Sequence, residues 1–416
     1  MPRHTQPDTP PGQGSQEPAD PRPSDGVLDA LTVGKIRGRG AAINPPNRFE
    51  PIRLEVLGEH LDRRAAEAPG GTQVPTRVFE DDSRTIINKV DSEDIPFAWT
   101  VNPYRGCEHG CVYCYARPGH EYFGLSLGVD FETKIFAKPK AAERLRQELD
   151  HPRWRGEPVV MSGVTDPYQP VERDLKITRS CLRVMADRRQ PVAIVTKSGL
   201  VTRDIDLLRE LARFDAVRVA VSLTTLDNDL ASKMEPRAGS PRERLETIRR
   251  LSESGIPVGV MTAPIIPGLN DHEIPALLEA ARHAGARHAA YVMLRLPFQI
   301  KDLFLEWLGR HMPARAAKIE SLVRDTRGGE LYDARPFVRM KGQGPYAEQI
   351  QATFEVFARN LGLARRPKPL SSASFMPGGS GGSLFGSVAS EAPSPTPPVT
   401  PPDQAAGHDD QPTLLG

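Results

Sequence analysis

Hydrophobic and polar positions alternate in blocks along the central part of the chain. A short apolar run typical of a buried strand is followed by a polar loop and then by a stretch with helical spacing, and this unit recurs roughly six times. We therefore predict strands at residues 97–101, 158–162, 192–196, 217–222, 257–263 and 288–294. The predicted helices between them include residues 141–149, 171–186, 203–214 and 241–254.

The clearest helix start in the sequence lies at Ser240. A serine is followed there by Pro241 and, three positions after the serine, by Glu243. This order predicts an N-cap, a proline at the first helical position and a capping-box glutamate.

Alternating strands and helices predict an α/β fold, in which helices cross over between parallel strands. Because roughly six units fall short of the eight in a closed barrel, we predict a partial (β/α)6 barrel of the TIM type at residues 91–300. Ligands bind such folds at the carboxyl ends of the strands. The polar residues that directly follow each strand are therefore the first candidates for a functional site.

The pattern changes on both sides of the predicted barrel. Helices at 303–308, 315–327 and 346–361 predict a C-terminal helical extension over residues 301–365 that closes the open side of the barrel. Residues 26–90 form an N-terminal extension that could fold over the barrel mouth. The 41 prolines and 35 glycines are densest near the two ends, so we predict disordered tails at 1–25 and 366–416.

Charge and hydropathy bear on the possible partners and the cellular location of the protein. The 54 Lys and Arg residues nearly balance the 53 Asp and Glu residues, which favours neither the presence nor the absence of a nucleic-acid partner. No apolar run reaches the roughly 18 residues of a membrane span, and the N-terminus lacks the apolar core of a signal peptide. We therefore expect a cytoplasmic protein with reduced thiols and no membrane partner.

Three of the four cysteines are clustered. Cys107, Cys111 and Cys114 form a C-x3-C-x2-C pattern directly after the first predicted barrel strand. Three thiolates at this spacing can ligate three irons of a cubane cluster and leave the fourth iron open to a small ligand.

The three clustered cysteines have two other interpretations, a zinc site and a disulfide. A closed zinc site needs a fourth ligand, which His109 or His120 could supply, since the remaining cysteine, Cys181, is far along the chain. A disulfide would leave one of the three clustered cysteines unpaired. The spacing favours iron–sulfur ligation.

The cysteine pattern, with Tyr113 just before the last cysteine, resembles the signature of the radical S-adenosylmethionine (SAM) superfamily. The wider matches resemble the spore-photoproduct-lyase-like (DNA repair photolyase-like) branch over roughly residues 76 to 362. These matches lie at residues 102–118, 165–170, 196–198 and 266–271. The resemblance implies a [4Fe-4S] cluster whose open iron binds SAM, and an electron donor of the reductase or flavodoxin/ferredoxin type. It also implies reductive cleavage of SAM to a 5'-deoxyadenosyl radical.

The resemblance also suggests which residues contact SAM. Oxygens of Thr165 and Asp166, after the second strand, could accept hydrogen bonds from the SAM ammonium group, although Asp166 also suits an ordinary capped turn. Lys197 could pair with the methionine carboxylate or be solvated. Ser222 could bind the ribose or simply pack against the cluster. Tyr113 would offer backbone contacts to the adenine.

Several charged residues near the strand ends have two interpretations. Arg295, one residue past the sixth predicted strand, could bind substrate or the SAM carboxylate, or form a salt bridge at the rim. Glu235 and Arg237 could place charge over the substrate opening or form a solvated loop pair. Arg244 belongs to a basic set that could meet phosphate or face solvent.

One departure from the resembled branch concerns product formation. In spore photoproduct lyases a cysteine near the end of the second strand returns a hydrogen atom to the product radical, whereas residues 159–166 contain no cysteine here. Met161 has no S–H to donate, which puts repair of the spore photoproduct in doubt. Cys181 lies in a predicted helix, where a buried structural cysteine is the default.

These observations predict a radical SAM enzyme that abstracts hydrogen from an unknown substrate. Nucleic acid is the leading substrate class, by analogy with the resembled branch. The sequence does not assign a catalytic residue. The competing function is a non-catalytic iron–sulfur or zinc binding module.

Overall fold

The structure is a computed structural model that describes residue 36, residues 38–49 and residues 74–378. The predicted tail at 1–25 lies outside the described residues, as does the predicted C-terminal tail from residue 379 onward. The first part of that predicted C-terminal tail is held against the barrel by backbone hydrogen bonds. Ser371 N donates to Asp215 O over 3.0 Å, and Met376 N donates to Arg188 O over 2.9 Å.

The described residues form ten strands in two sheets. In chain order they are β1 (Arg77–Glu80), β2 (Ile87–Lys89), β3 (Trp99–Val101), β4 (Tyr104–Arg105), β5 (Lys134–Ala137), β6 (Val159–Met161), β7 (Val192–Thr196), β8 (Val217–Ser222), β9 (Val258–Ile265) and β10 (His288–Met293).

The described helices follow the strands in the predicted alternation. They are α1 (Val129–Thr133), α2 (Ala141–Leu149), α3 (Glu172–Leu175), α4 (Ile177–Arg188), α5 (Ile205–Ala212), α6 (Asn228–Met234), α7 (Pro241–Glu253), α8 (Ile274–His283), α9 (Ile300–His311), α10 (Ala316–Asp325), α11 (Val338–Lys341) and α12 (Pro345–Asn360). Short 3-10 helices lie at Arg117–Phe123, Gly199–Asp204 and Asp271–Glu273.

The larger sheet confirms the predicted partial barrel. Its strand order is β10-β9-β8-β7-β6-β3-β2, in which β3 and β6 to β10 are parallel and β2 is an antiparallel edge strand. Strands β7 and β8 occupy the predicted residues because their apolar runs are buried in a parallel sheet. Since all six barrel strands run the same way, their carboxyl ends lie at one edge, which is the barrel mouth.

Two predicted helices have a different form in the structure. The helix predicted at 171–186 divides into α3 and α4 because Lys176 adopts a left-handed conformation with φ of 54°. The helix predicted at 203–214 is preceded by a 3-10 turn, whose N-cap Ser198 accepts a hydrogen bond from Leu200 N over 3.2 Å. The predicted cap at Ser240 is confirmed, since its Oγ accepts from Glu243 N over 3.2 Å.

The smaller sheet was not predicted from the sequence. Its order is β1-β5-β4, with β1 parallel and β4 antiparallel to β5. Strand β4 leads directly into the cysteine loop, so this sheet anchors the loop at the barrel mouth.

The C-terminal helices cover the same end of the molecule. A hydrophobic cluster joins side chains of α9 and α10, including Trp307 and Ile319, to Cys111, Val112 and Tyr113 of the cysteine loop. This packing shields the inner face of the loop from water. Among the helices that the structure describes, none has the length and apolar character needed to cross a membrane.

Candidate active site

The three clustered cysteines lie on one loop that follows β4. Cys107 and Cys111 are buried, Cys114 is partly exposed, and all three are free thiols. The loop turns at Gly106 and Gly110, where φ values of 76° and 68° favour glycine. A Cβ at Gly110 would also lie 2.8 Å from the Glu132 carboxylate, so a larger residue would collide there.

A buried ion pair supports the back of the cysteine loop. Arg117 donates from Nη2 to Glu132 Oε1 over 2.5 Å, and both side chains are inaccessible to solvent. Arg117 also donates to Cys111 O from Nε and Nη2, over 3.0 and 2.8 Å. The Glu132 carboxylate accepts in addition from Gly40 N and Ala41 N, which ties the N-terminal extension to the loop.

The electrostatics of the thiols suit a polynuclear metal cluster. Burial raises the pKa of Cys107 well above its usual value, and the negative charges of Asp166, Cys111 and Cys114 add to this effect. Burial likewise raises the pKa of Cys111 to about 12. Three buried or half-buried thiolates this close together need a strongly positive partner, which the irons of a cluster would supply.

The donor set is consistent with a cubane cluster. Three thiols on one loop, with no fourth cysteine nearby, match three irons ligated by protein and one left open. Within the described ranges, no three His, Cys, Asp or Glu side chains converge on a point where one metal ion could bind. A cubane does not require such convergence because each thiolate binds a different iron.

Each of the two histidines predicted as possible zinc ligands has a partner within the protein for one ring nitrogen. His109 Nδ1 lies 3.3 Å from Asp166 Oδ2. His120 Nε2 lies 2.9 Å from Lys134 O, and its ring packs edge-on against Phe131. Burial lowers the pKa of His120 to about 4, so its imidazole is neutral at physiological pH.

Asp166 fixes three parts of the site relative to one another. Oδ1 accepts from Tyr168 N and Thr196 Oγ1, over 2.9 and 2.8 Å, and Oδ2 accepts from Lys197 N over 2.8 Å beside His109. Although burial alone would raise it, these contacts hold the pKa of Asp166 below its usual value. The four acceptor positions of the carboxylate are thus all in use.

Thr165 is also engaged with the cysteine loop. Its hydroxyl donates to Gly106 O over 2.7 Å and accepts from Gln169 Nε2 over 3.0 Å. Gln169 in turn accepts from Glu108 N. Thr165 therefore joins the loop after β6 to the start of the cysteine loop.

Lys197 and Tyr113 lie near Cys111, and Ser222 lies at the end of β8. The Lys197 ammonium is 5.8 Å from the centroid of the Tyr113 ring, and its positive charge acts on Cys111. The Tyr113 hydroxyl donates to the buried carboxylate of Glu235. Ser222 is buried at the end of β8, and its carbonyl accepts from Arg244 Nη1 over 3.2 Å.

Sequence reasoning missed the structural role of residues 235–244. Glu235 and Arg244 form a buried ion pair instead of facing solvent, and Thr224 Oγ1 donates to Glu235 over 2.7 Å. Arg237 N donates to His109 O over 3.2 Å, and its guanidinium lies 3.1 Å from Glu108. The segment therefore holds the cysteine loop at several points, and the only sequence signal for it is a Glu-Pro-Arg triplet between α6 and α7.

The cysteine loop and strands β6 to β9 lie within a region of the chain that matches a known family. Residues 101–281 match the family model described as "Radical SAM superfamily". The chain belongs to the radical SAM superfamily. Membership makes it a radical SAM enzyme, which confirms the superfamily that the cysteine pattern resembles.

Relatives of this radical SAM enzyme come from several sources. An uncharacterised protein of Mycobacterium tuberculosis (strain ATCC 25618 / H37Rv) is 36% identical over 244 residues, which span 58% of this chain and 72% of that protein. A radical SAM Nα-GlyT isomerase of Pseudomonas phage M6 is 23% identical, over 65% of this chain and 54% of that protein. A solved spore photoproduct lyase variant has 15% identity and a TM-score of 0.47, covering 74% of this chain and 94% of its own.

Proposed function

We propose that this radical SAM enzyme binds one [4Fe-4S] cluster through Cys107, Cys111 and Cys114, and SAM at the open iron. The observation that carries the proposal is the gathering of these three thiols on one loop at the carboxyl edge of the parallel strands. When bound, the cluster and SAM supply a 5'-deoxyadenosyl radical that abstracts hydrogen from the substrate.

In this proposal the chain's own residues bind, orient and shield the cofactors. Lys197 pairs with the methionine carboxylate of SAM, since its ammonium is directed to the region of Cys111 and Tyr113. Asp166 holds Lys197 in place through the Lys197 backbone N–H. Thr165, whose hydroxyl oxygen keeps one lone pair, accepts from the SAM amino group, and Asp166, whose acceptor positions are in use, holds this side of the site in place.

Tyr113 and Ser222 complete the proposed SAM site. The Tyr113 hydroxyl is held by Glu235, which leaves the backbone of the loop to contact the adenine. Ser222 ends the neighbouring strand β8 and offers its hydroxyl to the ribose. The packing of α9 and α10 over the loop excludes water from the reacting region.

We further propose an electron donor of the reductase or flavodoxin/ferredoxin type. Cys114 is the least buried of the three thiols, so the cluster is nearest to solvent on that side. Nucleic acid is the first substrate class to test, because the motifs at residues 102–118, 165–170, 196–198 and 266–271 resemble those of the spore-photoproduct-lyase-like branch. The competing function is a non-catalytic iron–sulfur or zinc binding module.

The experiment that tests cluster binding is anaerobic reconstitution of the full chain with iron and sulfide. We expect about four irons per chain and a reduced [4Fe-4S] signal in electron paramagnetic resonance that changes when SAM is added. Cys114→Ala should lose the cluster, whereas Cys181→Ala, a change at the buried cysteine outside the motif, should keep it. Stoichiometric zinc with no SAM-dependent signal would favour the non-catalytic module.

A further inference from the structure

Arg295 lies where three parts of the barrel mouth meet. It follows strand β10, and its guanidinium is 4.9 Å from the centroid of the Tyr115 ring. Tyr115 directly follows Cys114 and donates from its hydroxyl to Gly163 O, after β6, over 2.9 Å. The Arg295 guanidinium therefore lies beside the most exposed cysteine of the loop.

The hydrogen-bonding capacity of Arg295 is almost unused. A guanidinium has five N–H donors, yet its one hydrogen bond to the described residues runs from Nη1 to the weak acceptor Met340 Sδ, over 3.7 Å. Its Nε is buried without an acceptor. Among the described residues no carboxylate forms an ion pair with it, so the predicted rim salt bridge is absent there.

A second arginine is positioned behind the first. Arg327 is buried and donates from Nη2 to Leu294 O, directly before Arg295, over 2.7 Å. Its Nε is also buried without an acceptor. Burial lowers the pKa of Arg327 to about 10, with Asp333 and Tyr332 opposing the shift and the positive charge of Arg295 adding to it, so Arg327 is charged at neutral pH.

The positive charges of Arg295 and Arg327 repel each other, and this repulsion destabilises the protein unless an anion compensates it. Two other buried arginines of the described chain have carboxylate partners, since Arg117 pairs with Glu132 and Arg244 pairs with Glu235. Arg327 is attracted by Asp333 but forms no ion pair with it, and Arg295 has no carboxylate partner among the described residues. The missing negative charge is then expected to come from a ligand, and a guanidinium fork suits carboxylate or phosphate.

We propose that Arg295, with Arg327 behind it, forms an anion-binding site for a carboxylate or phosphate of a molecule bound at the barrel mouth. The proposal rests on the proposed function for the identity of that molecule. The anion is either the methionine carboxylate of SAM or an anionic group of the substrate. Tyr115 positions the guanidinium through its exposed ring face.

The first test uses thermal unfolding of the full chain without a cluster, so that it does not depend on SAM chemistry. Pyrophosphate should raise the melting temperature of the wild type, because binding to the folded state alone stabilises it. In Arg295→Gln this increase should disappear, while the melting temperature without pyrophosphate should match or exceed that of the wild type, because a repulsion with Arg327 is removed. Arg249→Gln, at an exposed arginine on α7, is the charge-matched control.

The second test identifies the source of the anion in reconstituted protein by equilibrium dialysis. If the site binds the SAM carboxylate, Arg295→Gln should weaken SAM binding about 10- to 100-fold, while methylthioadenosine, which lacks that carboxylate, is unaffected. If it binds a substrate anion, SAM affinity should stay within about twofold and only the pyrophosphate effect should be lost. Arg295→Lys keeps the charge without the fork and should show an intermediate loss.

The inference is overturned if Arg295→Gln binds both SAM and pyrophosphate as Arg249→Gln does. Failure of the proposed function gives a different result. In that case the wild type binds no SAM after reconstitution, but the pyrophosphate difference between the two variants is still observed.

Discussion

The buried pair between Glu235 and Arg244 provides a sharp test of how the cysteine loop is held. Their side chains are 0% and 1% exposed, and the carboxylate also accepts from Tyr113 and Thr224. Glu235→Ala removes one partner and leaves the Arg244 charge buried and uncompensated. Breaking a buried pair in this way costs about 3–5 kcal/mol of folding free energy.

The matched control is Glu246→Ala. Glu246 forms an ion pair with Arg249 over 2.5 Å on the exposed face of α7, where both side chains are about half exposed. An exposed pair contributes roughly 0–1 kcal/mol, so this variant should unfold nearly as the wild type does. Both variants change one glutamate to alanine in the same region of the chain.

The assay is urea denaturation followed by circular dichroism at neutral pH. We expect a clearly lower midpoint for Glu235→Ala and little change for Glu246→Ala. A double variant that replaces Glu235 and Arg244 with apolar residues should recover part of the loss, because no charge is then left unpaired. A Glu235→Ala midpoint equal to that of Glu246→Ala would show that the buried pair contributes no more to stability than the exposed one.

Three further predictions concern the loop, the SAM site and acid stability. Arg117→Met leaves Glu132 unpaired and should cost about 3–5 kcal/mol in urea denaturation and abolish cluster uptake, measured as iron content. Lys197→Met should weaken SAM binding about 10- to 100-fold in equilibrium dialysis, with Lys233→Met on α6 as the control. Burial lowers the pKa of His120 and of His288 to about 4 in the folded protein. Each histidine therefore contributes stability that is complete above the pKa of about 6.5 in the unfolded chain. This stability is lost as the pH falls from about 6.5 to about 4. His120→Gln should flatten the dependence of the urea midpoint on pH over that interval, and an unchanged slope would contradict it.

Much of the barrel could be predicted because its strands have a simple signal. β7 and β8 are apolar runs buried in a parallel sheet, and such runs are read directly from the sequence. The cysteine loop could also be predicted, since its three cysteines are close together in the chain. The start of α7 could be predicted because its cap joins Ser240 to Glu243, only three positions along the chain.

The supports of the site could not be predicted because they join residues far apart in the sequence. Glu132 accepts from Gly40 and Ala41, more than ninety positions away, and nothing local in either segment indicates the contact. The sequence around Glu235 and Arg244 is typical of surface charges, whereas the fold buries the two side chains as an ion pair. The exposed strand β1 has no apolar face to reveal it.

The break between α3 and α4 at Lys176 could not be predicted from the sequence either. A lysine rarely adopts a left-handed conformation, so helical spacing across 171–186 predicted one continuous helix. In the structure, the Glu172 carboxylate at the start of α3 accepts from Thr178 N over 2.9 Å and so caps α4. Tertiary contacts thus set the boundary between the two helices.

The proposed activity is tested most directly by 5'-deoxyadenosine formation in the anaerobically reconstituted protein with dithionite and SAM. We expect the wild type and Cys181→Ala to form it and Cys111→Ala not to, because Cys111 belongs to the cysteine loop and Cys181 does not. Equal formation by Cys111→Ala, or none by wild-type protein with a full complement of cluster both with and without candidate nucleic-acid substrates, would contradict the proposed activity.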